Sequence, residues 1–191
     1  MHQQPSRGLT LIELMIAVAI VAILMAVAAP SFEQAINGNR LGSAAGEISG
    51  ALQLARSEAI RSNRRVVLCR SVNGSDCSAT SASWDGWIVF VDTDGDGARG
   101  GAEPIIKAAV IDAPQQLLSS PALSAAGESF TFRGDGTARN AAGQLMNASL
   151  AVCLPTTRPS ENVRQISLAF GSRTAARRRN AAGACSAPTD A

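Results

Sequence analysis

A stretch of 21 residues, Leu9 to Ala29 (LTLIELMIAVAIVAILMAVAA), carries a single charge, Glu13, and constrains the chain more than any other feature. Wound as an α-helix it is about 31 Å long, enough to cross the hydrocarbon of a bilayer. The eight residues before it, MHQQPSRG, are short, polar and basic. They do not resemble a secretory signal peptide, in which the small-residue cleavage site follows the apolar run. Arg7 before the run and Glu33 after it orient the N-terminus to the cytoplasm by the positive-inside rule.

A carboxylate within such a helix costs roughly 2.5–3.5 kcal/mol at mid-bilayer and requires a partner or an exit. Glu13 lies one turn into the run, so two readings stand. It snorkels to the interface, or it pairs with a positively charged amine created by cleavage before Leu9, on the same or a neighbouring subunit. The segment Arg7-Gly8-Leu9-Thr10-Leu11-Ile12-Glu13-Leu14 resembles the prepilin peptidase recognition motif. That resemblance implies a leader at residues 1–8, cleavage between Gly8 and Leu9, methylation of Leu9, and a role for Glu13 in registering subunits. Leu9 stands where the family usually has Phe.

Pro30 follows the run directly, as a helix boundary or a kink. Residues 30–63 read as a continuing helix, in which Leu41, Ala45, Ile48, Leu52, Ala55 and Ala59 form one apolar stripe for packing on a sheet or a partner helix. Gly38, Gly42, Gly46 and Gly50 recur every fourth residue and drift off that stripe. Each costs up to about 1 kcal/mol relative to Ala in a helix. The row admits a neighbouring helix closely, or leaves a section soft enough to unwind, or reflects only the composition of a chain with 17 Gly. From residue 64 to 191 the pattern changes to short β-rich runs between turn residues, at 66–70, 87–91, 105–111, 129–133, 149–154 and 165–170. The expectation is one domain of the α+β class, with an antiparallel sheet wrapped on the helix stripe.

Three further segments, Leu54-Ala55-Arg56-Ser57-Glu58-Ala59, Val67-Leu68-Cys69-Arg70-Ser71 and Trp84-Asp85-Gly86-Trp87-Ile88-Val89-Phe90-Val91-Asp92, are similar to the GspH/FimT family of pseudopilins. This resemblance implies a pilin-like fold and a minor subunit of a type IV pilus or type II secretion pseudopilus, placed toward the filament tip, which it initiates or caps. The implied partners are other pilin or pseudopilin subunits, prepilin peptidase and the bacterial inner membrane, with the domain beyond the membrane helix in the periplasm.

Cys69, Cys77, Cys153 and Cys185 contain no CxxC pair, and the chain has one His, His2, which excludes zinc and thioredoxin-like chemistry. An even count in an exported chain points to disulfides. Of three possible connectivities the preferred one joins Cys69 to Cys77 across a short polar loop, and Cys153 to Cys185 at the C-terminal tail. No nucleophile and base constellation stands out, so catalysis is not expected.

Asp92-Thr93-Asp94-Gly95-Asp96-Gly97, with Glu103 at the twelfth place, matches the EF-hand loop pattern. Its flanks read as strands, so a plain acidic turn is preferred, with calcium on Asp92, Asp94, Asp96 and Glu103 as the alternative and no other cofactor expected. Charge is uneven, with seven Arg against Glu161 and Asp190 in residues 137–191. Arg173, Arg177, Arg178 and Arg179, read as a loop beside Cys185, suit the phosphates of double-stranded DNA, with Phe170 the one nearby aromatic. FimT members that act in DNA uptake carry Gly-Arg-x-Arg in a comparable place, interrupted here by Ser172. The competing reading is a solvated basic tail or a contact with an acidic neighbouring subunit.

Overall fold

The computed structural model describes residues 10–79 and 83–191. A single helix, α1, runs from Leu11 to Ser62 and passes through Pro30 without a break. Thr10 caps its start: the hydroxyl accepts from the Glu13 N–H at 3.3 Å, and the Glu13 carboxylate accepts from the Thr10 N–H at 3.5 Å. Asn63 ends it in the left-handed conformation, φ 51, which Asn tolerates better than most residues because its short side chain bonds locally.

The remainder is β1 Arg65–Arg70, β2 Gly86–Asp92, β3 Ile105–Val110, β4 Gln116–Ser119, the short helix α2 Pro121–Ala125, β5 Ser129–Phe132, β6 Ala138–Arg139, β7 Ala148–Cys153, β8 Val163–Ala169 and β9 Arg173–Arg179. All neighbouring strands are antiparallel. They form two sheets in place of the single one expected, ordered β3-β2-β1-β5-β6 and β4-β7-β8-β9. Strand alternation explains why both sheets face the helix. Val66, Leu68, Trp87, Val89, Phe130 and Phe132 line the inner face of the first, and Leu117, Leu150, Val152, Ile166 and Leu168 that of the second. Both sets close on Leu41, Ala45, Ile48, Leu52, Ala55 and Ala59, each between 0% and 6% exposed.

Two seams join the sheets. At one, Trp84 bridges to Leu117, and the Glu128 carboxylate accepts from Trp84 Nε1 at 2.9 Å, from Ser124 Oγ at 2.8 Å and from Ser119 Oγ. At the other, the Ala138 N–H donates to the Gly171 carbonyl at 2.6 Å, and the Gly171 N–H to that of Met146 at 2.8 Å. Gly171 has φ +67, and a Cβ there would stand 2.5 Å from the Ala138 carbonyl oxygen, so the turn requires glycine.

Each sheet also has a covered outer face, and a disulfide pins each cover. Cys69 is bonded to Cys77, and Cys77 packs on Val67, Ile88 and Phe90. Cys153 is bonded to Cys185, which with Ala181 packs on Ala151 and Val163. The tail after β9 is laced down further by bonds from Asn162 Nδ2 to the Ala184 carbonyl at 3.1 Å and from Gln165 Nε2 to that of Thr189 at 3.3 Å.

Candidate functional site

The two halves of α1 have opposite fates. Every described side chain from Leu11 to Ala29 is exposed, with Leu11 at 76%, Leu24 at 63% and Met25 at 66%, whereas the later half seats its stripe in the core. Eleven large aliphatic side chains between Leu11 and Met25 face outward. At roughly 1.5–3 kcal/mol each for moving such a group out of water, the exposed half is unstable in solvent by on the order of 15–30 kcal/mol. It carries 11 of the 18 large hydrophobic side chains that are exposed among the described residues. Glu13 lies on it, engaged with the Thr10 cap; Gly8 and Leu9, the expected cleavage and methylation positions, lie outside the described residues.

The glycine row occupies the exposed side of the later half: a Cβ added at Gly38, Gly42, Gly46 or Gly50 meets nothing within 4 Å. These residues fill no gap in the domain's own core.

The arginine cluster is not the loop expected from the sequence. Residues 173–179 are β9, an edge strand paired along its length with β8. Strand alternation separates the four guanidinium groups. Arg173, Arg177 and Arg179 share one face. Arg178 points to the other, where Thr174 accepts from Gln53 Nε2 of α1 at 2.6 Å and Arg178 Nη1 stands 3.7 Å from Glu161. Strand signals were weak here because Thr174 is the one β-branched residue; pairing with β8 supplies what local propensity lacks.

In the acidic loop, carboxylate oxygens of Asp92, Asp94 and Asp96 lie within 4.8 Å of one another, and Glu103 is not among them. The Glu103 carboxylate instead accepts from the Thr93 N–H at 2.5 Å, the Thr93 hydroxyl at 3.1 Å and the Gly100 N–H at 2.9 Å. Burial alone would raise the Glu103 carboxyl, but these donors outweigh it and hold it below the ordinary range. For Asp92 burial wins over the N–H groups of Gly95 and Gly97, and its carboxyl is raised. Three of the four residues named for calcium thus come together, while the fourth closes the loop through the backbone.

One arrangement was not legible in the sequence: Arg164 of β8 and Arg178 of β9 stand opposite each other in register, in a cleft walled by α1. Only the β8–β9 pairing brings them together, and that pairing was not expected.

The family model for the type II transport protein GspH matches residues 44–172. The chain belongs to the GspH family. The prokaryotic N-terminal methylation motif matches residues 4–29, so this GspH-family protein is a minor pilin or pseudopilin with a prepilin-type N-terminus. Two crystal structures of the Pseudomonas aeruginosa PAO1 type IV minor pilin FimU are similar in fold at 20% identity. One has a TM-score of 0.50 and covers 72% of this chain and 87% of that one. The other, in a second space group, has a TM-score of 0.49 and covers 72% and 92%. No curated protein matches.

Proposed function

We propose that this chain is a minor subunit that initiates or caps a type IV pilus or type II secretion pseudopilus. It waits in the bacterial inner membrane as a single-pass protein with a cytoplasmic N-terminus and a periplasmic domain. Prepilin peptidase removes residues 1–8, Leu9 is methylated, and residues 9–29 then pass from lipid into the filament core among other pilin subunits. The division of α1 into an exposed apolar half and a core-seated half carries this reading, since the exposed half requires first lipid and then neighbouring helices. Once the leader is gone, Glu13 exchanges its cap contact for the new amine of a neighbour and sets the register.

The test is intact-mass analysis of membrane-extracted protein from cells with and without an active prepilin peptidase. The expected result is loss of eight residues and gain of one methyl group in the first strain alone; a retained leader in both would overturn the proposal. For the tip role, deletion of the gene should abolish filament initiation while leaving the level of the major subunit unchanged. Unaltered filament number would refute it.

A second reading, capture of double-stranded DNA, is favoured by Arg173 and Arg177 sharing an exposed face of an edge strand beside Phe170, which is 64% exposed. It expects a salt-sensitive gel shift that weakens in a variant with Arg173→Gln and Arg177→Gln. A shift unchanged in that variant refutes it.

A further inference from the structure

Beside the start of the core-seated half of α1 lies an open cleft of about 550 Å³, walled by Ser31, Gln34 and Gly38 on the helix and by Glu161 of the loop before β8, Arg164 of β8 and Arg178 of β9. Two cations face one carboxylate. Arg164 is only 9% exposed, and its Nη1 is fixed by the carbonyls of Glu161 at 2.6 Å and Val163 at 3.2 Å. Its remaining N–H groups meet no acceptor among the described residues. Arg178 reaches Glu161 only at 3.7 Å. The neighbouring wall is clamped to the helix by the Asn37 Nδ2 bond to the Arg158 carbonyl at 2.8 Å and by the Arg158–Glu33 ion pair at 3.4 Å. A fixed, partly desolvated guanidinium beside a second cation is short of negative charge. Burial and then the Arg178 charge hold the Arg164 guanidinium below its ordinary value, with Glu161 opposing them.

Depth identifies the anion. At 1.5 Å per residue, Ser31 stands about 3 Å and Gln34 about 8 Å beyond Ala29, where the apolar run ends. The headgroup layer extends roughly 5–8 Å beyond the hydrocarbon on each side. The helix wall from Ser31 to Gln34 is therefore level with lipid phosphates when residues 9–29 span the bilayer, and Gly38, about 14 Å beyond Ala29, stands above them. Phe32, 70% exposed and next to Ser31, supplies an aromatic side chain at the same depth.

We propose that this cleft is a headgroup site that takes the phosphate of an anionic phospholipid between Arg164 and Arg178. The proposal rests on the membrane-anchored reading above. The bound lipid holds the periplasmic domain down against the leaflet and fixes its orientation before assembly, and it is left behind when the subunit is extracted.

The full chain in a non-ionic detergent is titrated with dihexanoyl-phosphatidylglycerol, with dihexanoyl-phosphatidylcholine and with inorganic phosphate. A second arm follows flotation of the chain with neutral phosphatidylcholine vesicles. A basic residue near an anionic surface contributes about fivefold in affinity, so phosphatidylglycerol should bind at least fivefold tighter than phosphatidylcholine. That preference should vanish in Arg178→Gln, an exposed position that leaves the core intact, and in Arg164→Gln. It should survive in Arg173→Gln with Arg177→Gln. Equal binding of the two lipids, a preference retained in Arg178→Gln, or inorganic phosphate binding as tightly as phosphatidylglycerol would each overturn the headgroup site. If the chain does not float with neutral vesicles, the anchoring reading itself has failed; flotation without lipid preference sinks the cleft alone.

Discussion

Glu128 offers the sharpest test of how the two sheets are held together. It is 8% exposed, and its carboxylate gathers Trp84 Nε1, Ser124 Oγ and Ser119 Oγ at the seam where β2 and β4 approach. Hydrogen bonds to a charged acceptor contribute about 1.5–3 kcal/mol each, though a shared acceptor gives less than the sum. Glu128→Ala removes all three, but Trp84 Nε1 keeps Ser119 Oγ at 2.7 Å, so the indole is not stranded. The net cost is then about 3–4 kcal/mol, a large share of the 5–15 kcal/mol that typically separates folded from unfolded states. Backbone geometry adds a second arm. Glu128 has φ 58, a conformation that costs a non-glycine residue about 1–2 kcal/mol. Glu128→Gly therefore loses the same bonds while shedding that strain, and should be the milder variant by up to about 1 kcal/mol once glycine's extra chain entropy is counted. Urea unfolding of the full chain in non-ionic micelles, followed by tryptophan emission, reads both effects, since Trp84 is itself a partner. Should Glu128→Ala fall within about 1 kcal/mol of the parent, the carboxylate does not tie the sheets and the reasoning is wrong.

Three further outcomes follow from the same geometry. Cys153 and Cys185 are 32 residues apart and Cys69 and Cys77 are 8 apart. The chain-entropy relation then gives about 3.7 and 2.5 kcal/mol, so Cys185→Ser should destabilise more than Cys77→Ser and also free the tail amides to hydrogen exchange. A Cβ at Gly46 meets nothing within 4 Å; Gly46→Ala should raise the stability of the isolated subunit by about 0.8–1 kcal/mol, and a loss would mean that the helix is not open there. Glu103 has a carboxyl held below its ordinary value of 4.5, so its contribution is complete above that pH and disappears as the pH falls through the lower folded-state value. The stability deficit of Glu103→Gln should accordingly be full at pH 7 and shrink in acid, and a pH-independent deficit in urea midpoints would count against it.

The parts of the fold legible in the sequence were those set by periodicity over a long window. The stripe from Leu41 to Ala59 specified its own helix and its own burial, and β-rich runs between turn residues marked β1, β2, β3, β5, β7 and β8. Where the fold rests on partners distant in the chain, local signals were silent. Four-residue β4 is placed by β7, two-residue β6 by β5, and the arginine-rich β9 by β8. The same limit governs the candidate sites. The exposed half of α1 was plain from composition alone. The acidic loop matched a ligand pattern by spacing, yet spacing says nothing about which atoms Glu103 will serve, and it serves the backbone of Thr93 and Gly100.

Reading the four arginines as one patch failed for a related reason: charge along a sequence becomes charge on a surface only after the backbone has chosen its period. As a loop, residues 173–179 would pool their cations; as a strand they divide them between two faces. One face, with Arg173 and Arg177, looks outward from an edge that a neighbouring strand could join, and its positive charge discourages indiscriminate pairing there. The other places Arg178 beside Arg164, in the cleft against α1. A single β-strand thereby presents its cations on two faces, and the two glutamine variants, Arg178→Gln on one face and Arg173→Gln with Arg177→Gln on the other, should lose different interactions. If both sets change the same property in the same measure, total charge and not its placement by the strand would be the operative quantity.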